Sequence, residues 1–362
     1  MKVALVHDYL NQYGGAERVL EVFCDLFYEA PIYTLLYDEK LTGGAFKDRK
    51  IKTSFLQKIP GAVKNHKWIL PFMPLAIEQF DFSKFDIVIS ISASYAKGII
   101  VGPKTKHINY CLTPLRYGWD DSQKYLSEAN VPIVKIIAPL LLNYLRIWDL
   151  QAGKRPDEMV AISDFVAQRI NKYYHRQVEI IYPPVDVSKY YTSEDVGPYY
   201  LMVGRLVPYK KFDLAIRAFN VLNLPLKIVG TGPELNNLKK IAGSNIEFIG
   251  QIDDEKLASL LSKCKALIFP QEEDFGMVPL EAMASGRPVI AFRSGGAMET
   301  VSENVSGLFF KNQTVESLID AVGRFKSMEV NPHQIRESIL KFDIKRFKIQ
   351  ISNLINKNES RS

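Results

Sequence analysis

The chain has 362 residues, more than one hydrophobic core usually serves, so two domains are expected. Apolar residues make up 47% and charged residues 24%, the balance of an ordinary globular protein, which excludes a disordered or fibrous chain. The three cysteines, Cys24, Cys111 and Cys264, lie far apart without a CxxC pair, which excludes a disulfide framework or a zinc cluster, and the net charge of +6 is modest.

From the N-terminus, Lys2–Val6 is a short apolar run ended by His7-Asp8, and it reads as a buried strand, not a signal peptide. Gly14-Gly15-Ala16-Glu17 then opens a helix, Gly15–Phe27; paired glycines at a helix start expose amides that can hold a phosphate, although a plain tight turn explains them equally well. After the strand Ile32–Leu35, the segment from Phe46 to Lys67 carries seven cations (Lys47, Arg49, Lys50, Lys52, Lys58, Lys64, Lys67) against one acid, Asp48. Trp68, Phe72 and Met73 follow at once, and basic plus aromatic suits an anionic membrane surface or a phosphate-bearing lipid. A solvated charged face is the competing explanation. No recognition-helix or zinc-finger pattern accompanies the charge, so nucleic acid is not an expected partner.

Strands Ile87–Ile91, Lys106–Tyr110, Glu158–Ile162 and Glu179–Ile181 follow, with a helix at Ser163–Tyr174 capped by Ser163. The apolar run Val131 to Leu145 is interrupted by Lys135 and Asn143 and falls short of the roughly 18 to 20 residues a membrane helix needs. A cytoplasmic protein, peripheral on the inner face of the membrane at most, is therefore expected. Tyr182-Pro183-Pro184-Val185-Asp186 bars both helix and central strand. Beyond it the alternation restarts: strands at Tyr199–Val203, Leu226–Val229, Ile246–Phe248, Ala266–Phe269, Pro288–Phe292 and Gly307–Phe309, helices at Lys210–Val221, Glu234–Ile241, Asp254–Cys264 and Pro279–Ala284. Strand–helix alternation on both sides of a proline-rich hinge predicts an α/β protein of two Rossmann-like doubly wound domains facing a cleft. Ligands in such sheets bind beyond the carboxyl ends of the strands.

The strand at 199–203 runs into Gly204-Arg205-Leu206-Val207-Pro208-Tyr209-Lys210, and Arg205 and Lys210 can neutralise a diphosphate leaving group there. Gly230-Thr231-Gly232-Pro233 is a second glycine turn after a strand. Glu273 and Glu281 are separated by seven residues, with Glu273 in a loop and Glu281 in the first turn of a helix begun near Pro279. Between them the amides of Gly276, Met277 and Val278 point out of the helix start, where an anion is welcome. Each glutamate alone could be a plain surface acid; the ensemble is poorly explained that way.

Together these segments identify the chain as similar to retaining GT-B glycosyltransferases of family four, also called group one. The resemblance rests on Gly-Gly-Ala-Glu at 14–17, the Gly-Arg…Lys pair, Gly-Thr-Gly-Pro at 230–233, and Glu-x7-Glu followed by Ala-Met-Ala-Ser-Gly-Arg-Pro-Val. It implies that Arg205 and Lys210 bind the diphosphate, Glu273 the donor hexose and Glu281 the ribose, with Gly15 approaching the phosphates. Gly204, Gly230, Thr231, Gly232 and Phe275 to Val278 would line the donor, and Gln251 and Ile252 the base. It further implies an acceptor-binding domain over 1–184, a linker at 185–198, a donor domain over 199–341, and a last helix, 342–357, crossing back onto the first domain. Thr113-Pro114-Leu115-Arg116-Tyr117 and Arg146-Ile147-Trp148-Asp149 narrow the likeness to bacterial polysaccharide and O-antigen mannosyltransferases. Asp8, Tyr9, Thr113, Arg116 and Tyr117 would then face the acceptor. Those relatives commonly show His where this chain has Leu112, and His107 cannot simply replace it.

Without an Asp-x-Asp motif, the diphosphate charge is expected to be met by protein cations, with no metal and no cofactor. The expected partners are a nucleotide-sugar, with GDP-mannose ahead of UDP-hexoses, and a polyprenyl-linked or oligosaccharide acceptor. A nucleotide-sugar epimerase and an inactive donor-binding scaffold are the alternatives.

Overall fold

The computed structural model describes residues 1–120, 122 and 132–359; the side chains at 66, 67, 132–137, 358 and 359 also lie outside the description. The chain divides into two units, Met1–Tyr182 and Pro183–Ser362.

The first unit holds β1 (Val3–His7), β2 (Ile32–Thr34), β3 (Ile51–Thr53), β4 (Ile87–Ser92), β5 (Lys106–Cys111), β6 (Glu158–Ala161) and β7 (Glu179–Ile180). They form one sheet in the order β3-β2-β1-β4-β5-β6-β7, parallel throughout. A parallel sheet is covered on both faces, so its central strands are buried along their whole length, as β1 and β4 are. Two serines interrupt the apolar run of β4, and both are satisfied from β5. The Asn109 amide donates to Ser90 Oγ at 2.8 Å and Ser92 Oγ at 2.9 Å, and His107 Nε2 lies 2.7 Å from Ser90 Oγ. Burial, aided by Arg176 and Arg155, drives the His107 pKa down to about 3, so this imidazole is a neutral part of the core.

Edge strand β3 was not anticipated. Its sequence, Ile-Lys-Thr, is too short and too polar to stand out from the basic segment around it. The run read as starting at Val131, itself outside the described residues, is from Pro132 a 21-residue helix ending at Ala152. Leu142 and Leu145 face the core while Leu140, Tyr144 and Ile147 stay exposed, a stripe at helical spacing. No helix among the described residues is long and apolar enough to cross a membrane.

A buried carboxylate fastens this helix. Asp149 Oδ1 meets the Lys97 ammonium at 2.8 Å as an ion pair, both side chains being 0% exposed. Its other oxygen accepts from Trp119 Nε1 at 2.8 Å and Tyr174 hydroxyl at 2.7 Å. One side chain thus ties the turn after β4, the loop after β5 and the helix Asp164–Tyr174 to a common point.

The second unit contains β8 (Tyr200–Val203), β9 (Leu226–Val229), β10 (Ile246–Gly250), β11 (Leu267–Phe269), β12 (Val289–Phe292) and β13 (Gly307–Phe310). Their order is β10-β9-β8-β11-β12-β13, again all parallel. Each of the six strands expected from the sequence is present, with ends moved by a residue or two. The helices Val315–Phe325 and Pro332–Ser338 were not anticipated; the first buries Leu318, Ala321, Val322 and Phe325.

The stretch after the two prolines is strapped to this unit. Arg336 donates to the carbonyls of Tyr190 at 2.8 Å and Val187 at 2.9 Å, Arg287 donates to Ser193 O, and Val185 pairs with Asp343. The closing helix Ile344–Glu359 follows directly.

Removing Asp149 should be costly because it strands a buried ammonium. Asp149→Ala is expected to lower stability by about 3–5 kcal/mol, whereas Lys97→Met with Asp149→Leu should recover most of the loss. Urea melts of the three proteins check this; a loss under about 1 kcal/mol for Asp149→Ala would show that the pair holds little together.

Candidate functional site

In a doubly wound sheet the strand order reverses at a switch point, and loops on its two sides diverge to leave a crevice. In the second unit that point lies between β8 and β11. The loop after β8 carries Gly204, Arg205 and Lys210; the loop after β11 carries Gln271, Glu273 and Phe275. The two groups recognised as charged in the sequence are joined here, Lys210 Nζ lying 2.8 Å from Glu273 Oε1. Burial lowers the Lys210 pKa, but the Glu273 carboxylate and Tyr209 overcome it and leave the pKa above the usual lysine value. The ammonium is therefore fully charged at neutral pH, and its contribution to stability is lost only above pH 10.5. Arg205 is exposed, and its charge reaches Lys210, opposing protonation there.

Backbone, not side chain, explains the glycine turns. Gly230 has φ +129°, and a Cβ there would stand 2.0 Å from the Gly204 carbonyl oxygen, so no other residue fits. Leu206 N donates to Thr231 O at 2.9 Å, Glu234 N to Leu206 O at 3.1 Å and Gly230 N to Gly250 O at 2.8 Å. These bonds stack the loops after β8, β9 and β10, so Gly204, Gly230, Thr231, Gly232, Gln251 and Ile252 share the sheet's carboxyl edge. Gln251 is exposed and Ile252 half-buried.

The helix after β11 runs Met277–Ala284, two residues earlier than expected, behind Gly276 at φ +89°. Glu281 consequently sits in the second turn, not the first, and is buried. The amides of Met277 and Val278 lie in the first turn, where no helical carbonyl is available to them, and both residues are half-buried. Phe275 is buried with its ring 5.6 Å from that of Phe342, edge to face, so only its backbone is left for a ligand. The loop is held from behind, where Gly296 N donates to Glu273 O at 2.9 Å and Ser294 donates to Glu272. Gln271, not singled out in the sequence, is buried, and its amide donates to Glu273 Oε1 at 3.2 Å. An uncharged amide outside the Glu-x7-Glu spacing carries no sequence signal of its own.

In the first unit the switch point lies between β1 and β4. Asp8 ends up elsewhere in the chemistry than expected. Its two oxygens accept four amides, those of Ala93, Ser94, Tyr95 and Ala96, at 2.6–2.8 Å. All four lone-pair positions are taken, so Asp8 clamps the loop after β4 and has no capacity for an acceptor hydroxyl. Thr113 is buried and accepts from Arg169, which also pairs with Asp120. Tyr117 donates to Tyr95, and burial pushes both phenols well above their ordinary pKa. Arg116 opens a short turn, Arg116–Gly118, and Tyr9 is half-buried. Leu112 is buried. Gly15 begins its helix behind Gly14, whose amide donates to Glu17 Oε2 at 2.8 Å. Burial raises the Glu17 pKa, with nearby His7 pulling the other way.

Comparison with known proteins bears on the second unit. Residues 189–342 match the family model described as glycosyl transferases group 1. An uncharacterized glycosyltransferase of Methanocaldococcus jannaschii is 28% identical over 193 residues, 52% of this chain and 54% of its own length. A GDP-mannose-dependent alpha-(1-6)-phosphatidylinositol monomannoside mannosyltransferase of Mycolicibacterium smegmatis is 34% identical over 203 residues, 47% of this chain and 53% of its own. The matches span about half the length of these relatives. The fold matches Anabaena HepE, solved with UDP-glucose, at a TM-score of 0.71 and 17% identity over 99% of this chain and 100% of that one. The chain has the α/β GT-B fold, and its residues 189–342 match the model of the glycosyl transferases group 1 family.

Proposed function

We propose that the chain is a retaining hexosyltransferase that takes a hexose from a nucleotide-sugar and passes it to a lipid-linked or saccharide acceptor in glycan assembly. The observation that carries this is the Lys210–Glu273 pair at the switch point, in the same loop-and-helix segment as the helix-start amides of Met277 and Val278. A carboxylate suited to sugar hydroxyls stands against a cation suited to the diphosphate. Their mutual neutralisation lets an anionic donor approach two glutamates. Mannose from GDP-mannose is the favoured donor, because the M. smegmatis relative carries that name; a UDP-hexose is the competing one.

In the proposed reaction the bond between the hexose anomeric carbon and the phosphate oxygen breaks first. Lys210, Arg205 and the helix amides meet the charge that builds on the leaving diphosphate, without a metal. The acceptor hydroxyl attacks the same face of the oxocarbenium-like carbon, and its proton passes to the departing phosphate oxygen. Atoms balance, configuration is retained, and the protein supplies no covalent nucleophile.

The acceptor's lipid is inferred from the surface of the first unit. Trp68 is 85% exposed, with Phe72 and Leu75 also in solvent and the exposed Lys58 and Lys64 beside them. The helix Pro132–Ala152 adds Leu140, Tyr144 and Ile147. Aromatic and aliphatic side chains among lysines fit the interface of an anionic bilayer, which supports the reading of a protein peripheral on the inner face of a membrane.

Arg205→Ala or Lys210→Ala should each cut turnover by roughly 100-fold or more, and EDTA should leave the wild type unaffected. Turnover that dies in EDTA and returns with magnesium or manganese would overturn the metal-free route. Glu281→Gln should weaken binding of GDP or UDP alone, whereas Glu273→Gln should spare the bare nucleotide and damage turnover. Calorimetry separates them, and equal losses for the bare nucleotide would reject the assignment. Reversing Lys58, Lys64 and Lys67 to Glu should abolish sedimentation with anionic vesicles at low salt, each cation being worth about 1 kcal/mol at the surface. Equal recovery of wild type in the supernatant of anionic and neutral vesicles would point to a soluble acceptor.

A further inference from the structure

The donor-sugar end of the site contains one polar atom without a use so far. Gln271 follows β11 by two positions and is 3% exposed. Its Nε2 donates to Glu273 Oε1 at 3.2 Å, the same oxygen that takes the Lys210 ammonium at 2.8 Å. Turning the amide over would set its carbonyl against a carboxylate oxygen, so the chemistry fixes the orientation. The carbonyl Oε1 is consequently the end of the amide not engaged by Glu273, and it is buried with no donor among the described residues.

A buried amide carbonyl is normally satisfied, so an unmet one beside a ligand carboxylate calls for a ligand donor. A diphosphate offers only acceptors at neutral pH and cannot serve. A nucleotide-sugar offers hydroxyls, and those of the hexose are the ones assigned to neighbouring Glu273. Building on the glycosyl-transfer function proposed above, we propose that Gln271 is a specificity residue for the donor sugar. Its carbonyl accepts from one hexose hydroxyl while its amide holds Glu273 Oε1, leaving Oε2 for a second. Carbonyl and carboxylate side by side would read a pair of hydroxyls, and a polar site of this kind rejects a sugar lacking one of them.

The test is calorimetry with GDP, GDP-mannose, UDP and UDP-glucose on wild type, Gln271→Leu and Gln271→Asn, followed by the monodeoxy donors of whichever sugar binds. Gln271→Leu should bind the nucleotide-sugar about 10-fold more weakly and the bare nucleotide unchanged, the loss of one hydrogen bond to a buried group. One deoxy donor should bind wild type as weakly as the full donor binds the Leu variant, with no further loss when the two changes are combined. The Asn variant keeps the amide but withdraws it, and it should show the same split even if the Leu variant folds poorly. Equal losses for nucleotide and nucleotide-sugar, or a drop in melting temperature with both affinities intact, would make Gln271 a structural residue satisfied by water and overturn the proposal. Failure of wild type to bind any nucleotide-sugar would overturn the transferase function itself, and the role of Gln271 with it.

Discussion

Every strand in each sheet runs in one direction, and this constraint decides where chemistry can occur. Parallel pairing sends all carboxyl ends of a sheet to one edge, so loops far apart in sequence arrive together without any contact having been selected for function. The positions around 204, 230, 250 and 271 converge for this reason alone. The cost of the arrangement is that both faces must be covered, which is why the central strands β1 and β4 are buried along their whole length and the two serines of β4, Ser90 and Ser92, come with a partner from β5.

At that edge the charges are matched before any ligand arrives. Lys210 would lose its proton more readily through burial were Glu273 not beside it, and Glu273 would face other acids unscreened without Lys210. Such a pair is poorly worth its desolvation as a structural device, which makes a functional use the simpler account. The first unit shows the opposite economy. Asp8 and Asp149 are deeply buried acids, held by four amides in one case and by an ammonium and two aromatic donors in the other. Both organise loops; neither is left for chemistry.

The contrast explains what could be read from the chain. Strand periodicity gave both sheets because a buried parallel strand is a bare apolar run, and the Glu-x7-Glu spacing located the loop and helix around 273 and 281. What escaped was decided by tertiary partners. Asp8 looks the same in sequence whether it meets a substrate or four amides. β3 is an edge strand made of Ile-Lys-Thr, which pairing with β2 selects and composition does not. The helix at Met277 begins before its proline because Gly276 can take a left-handed turn, and two residues of shift carried Glu281 into the interior. Gln271 has no charge and no place in a motif; only its burial beside Glu273 sets it apart.

The strap over residues 183–198 changes what counts as a module. Arg336 and Arg287 spend their guanidinium donors on carbonyls of that stretch, and the Val185–Asp343 pairing closes it against the start of the last helix. An excised second unit begun at the first strand, near Tyr199, would take from both arginines their acceptors in that stretch, leaving Arg287 only Ser262 O and Arg336 only Ala284 O among the described residues, and open a sheet-like pairing at its far end. One begun at Pro183 keeps all of them. The piece that keeps these bonds is thus longer than the sheet it contains, and its N-terminal boundary is written in side chains more than a hundred residues downstream.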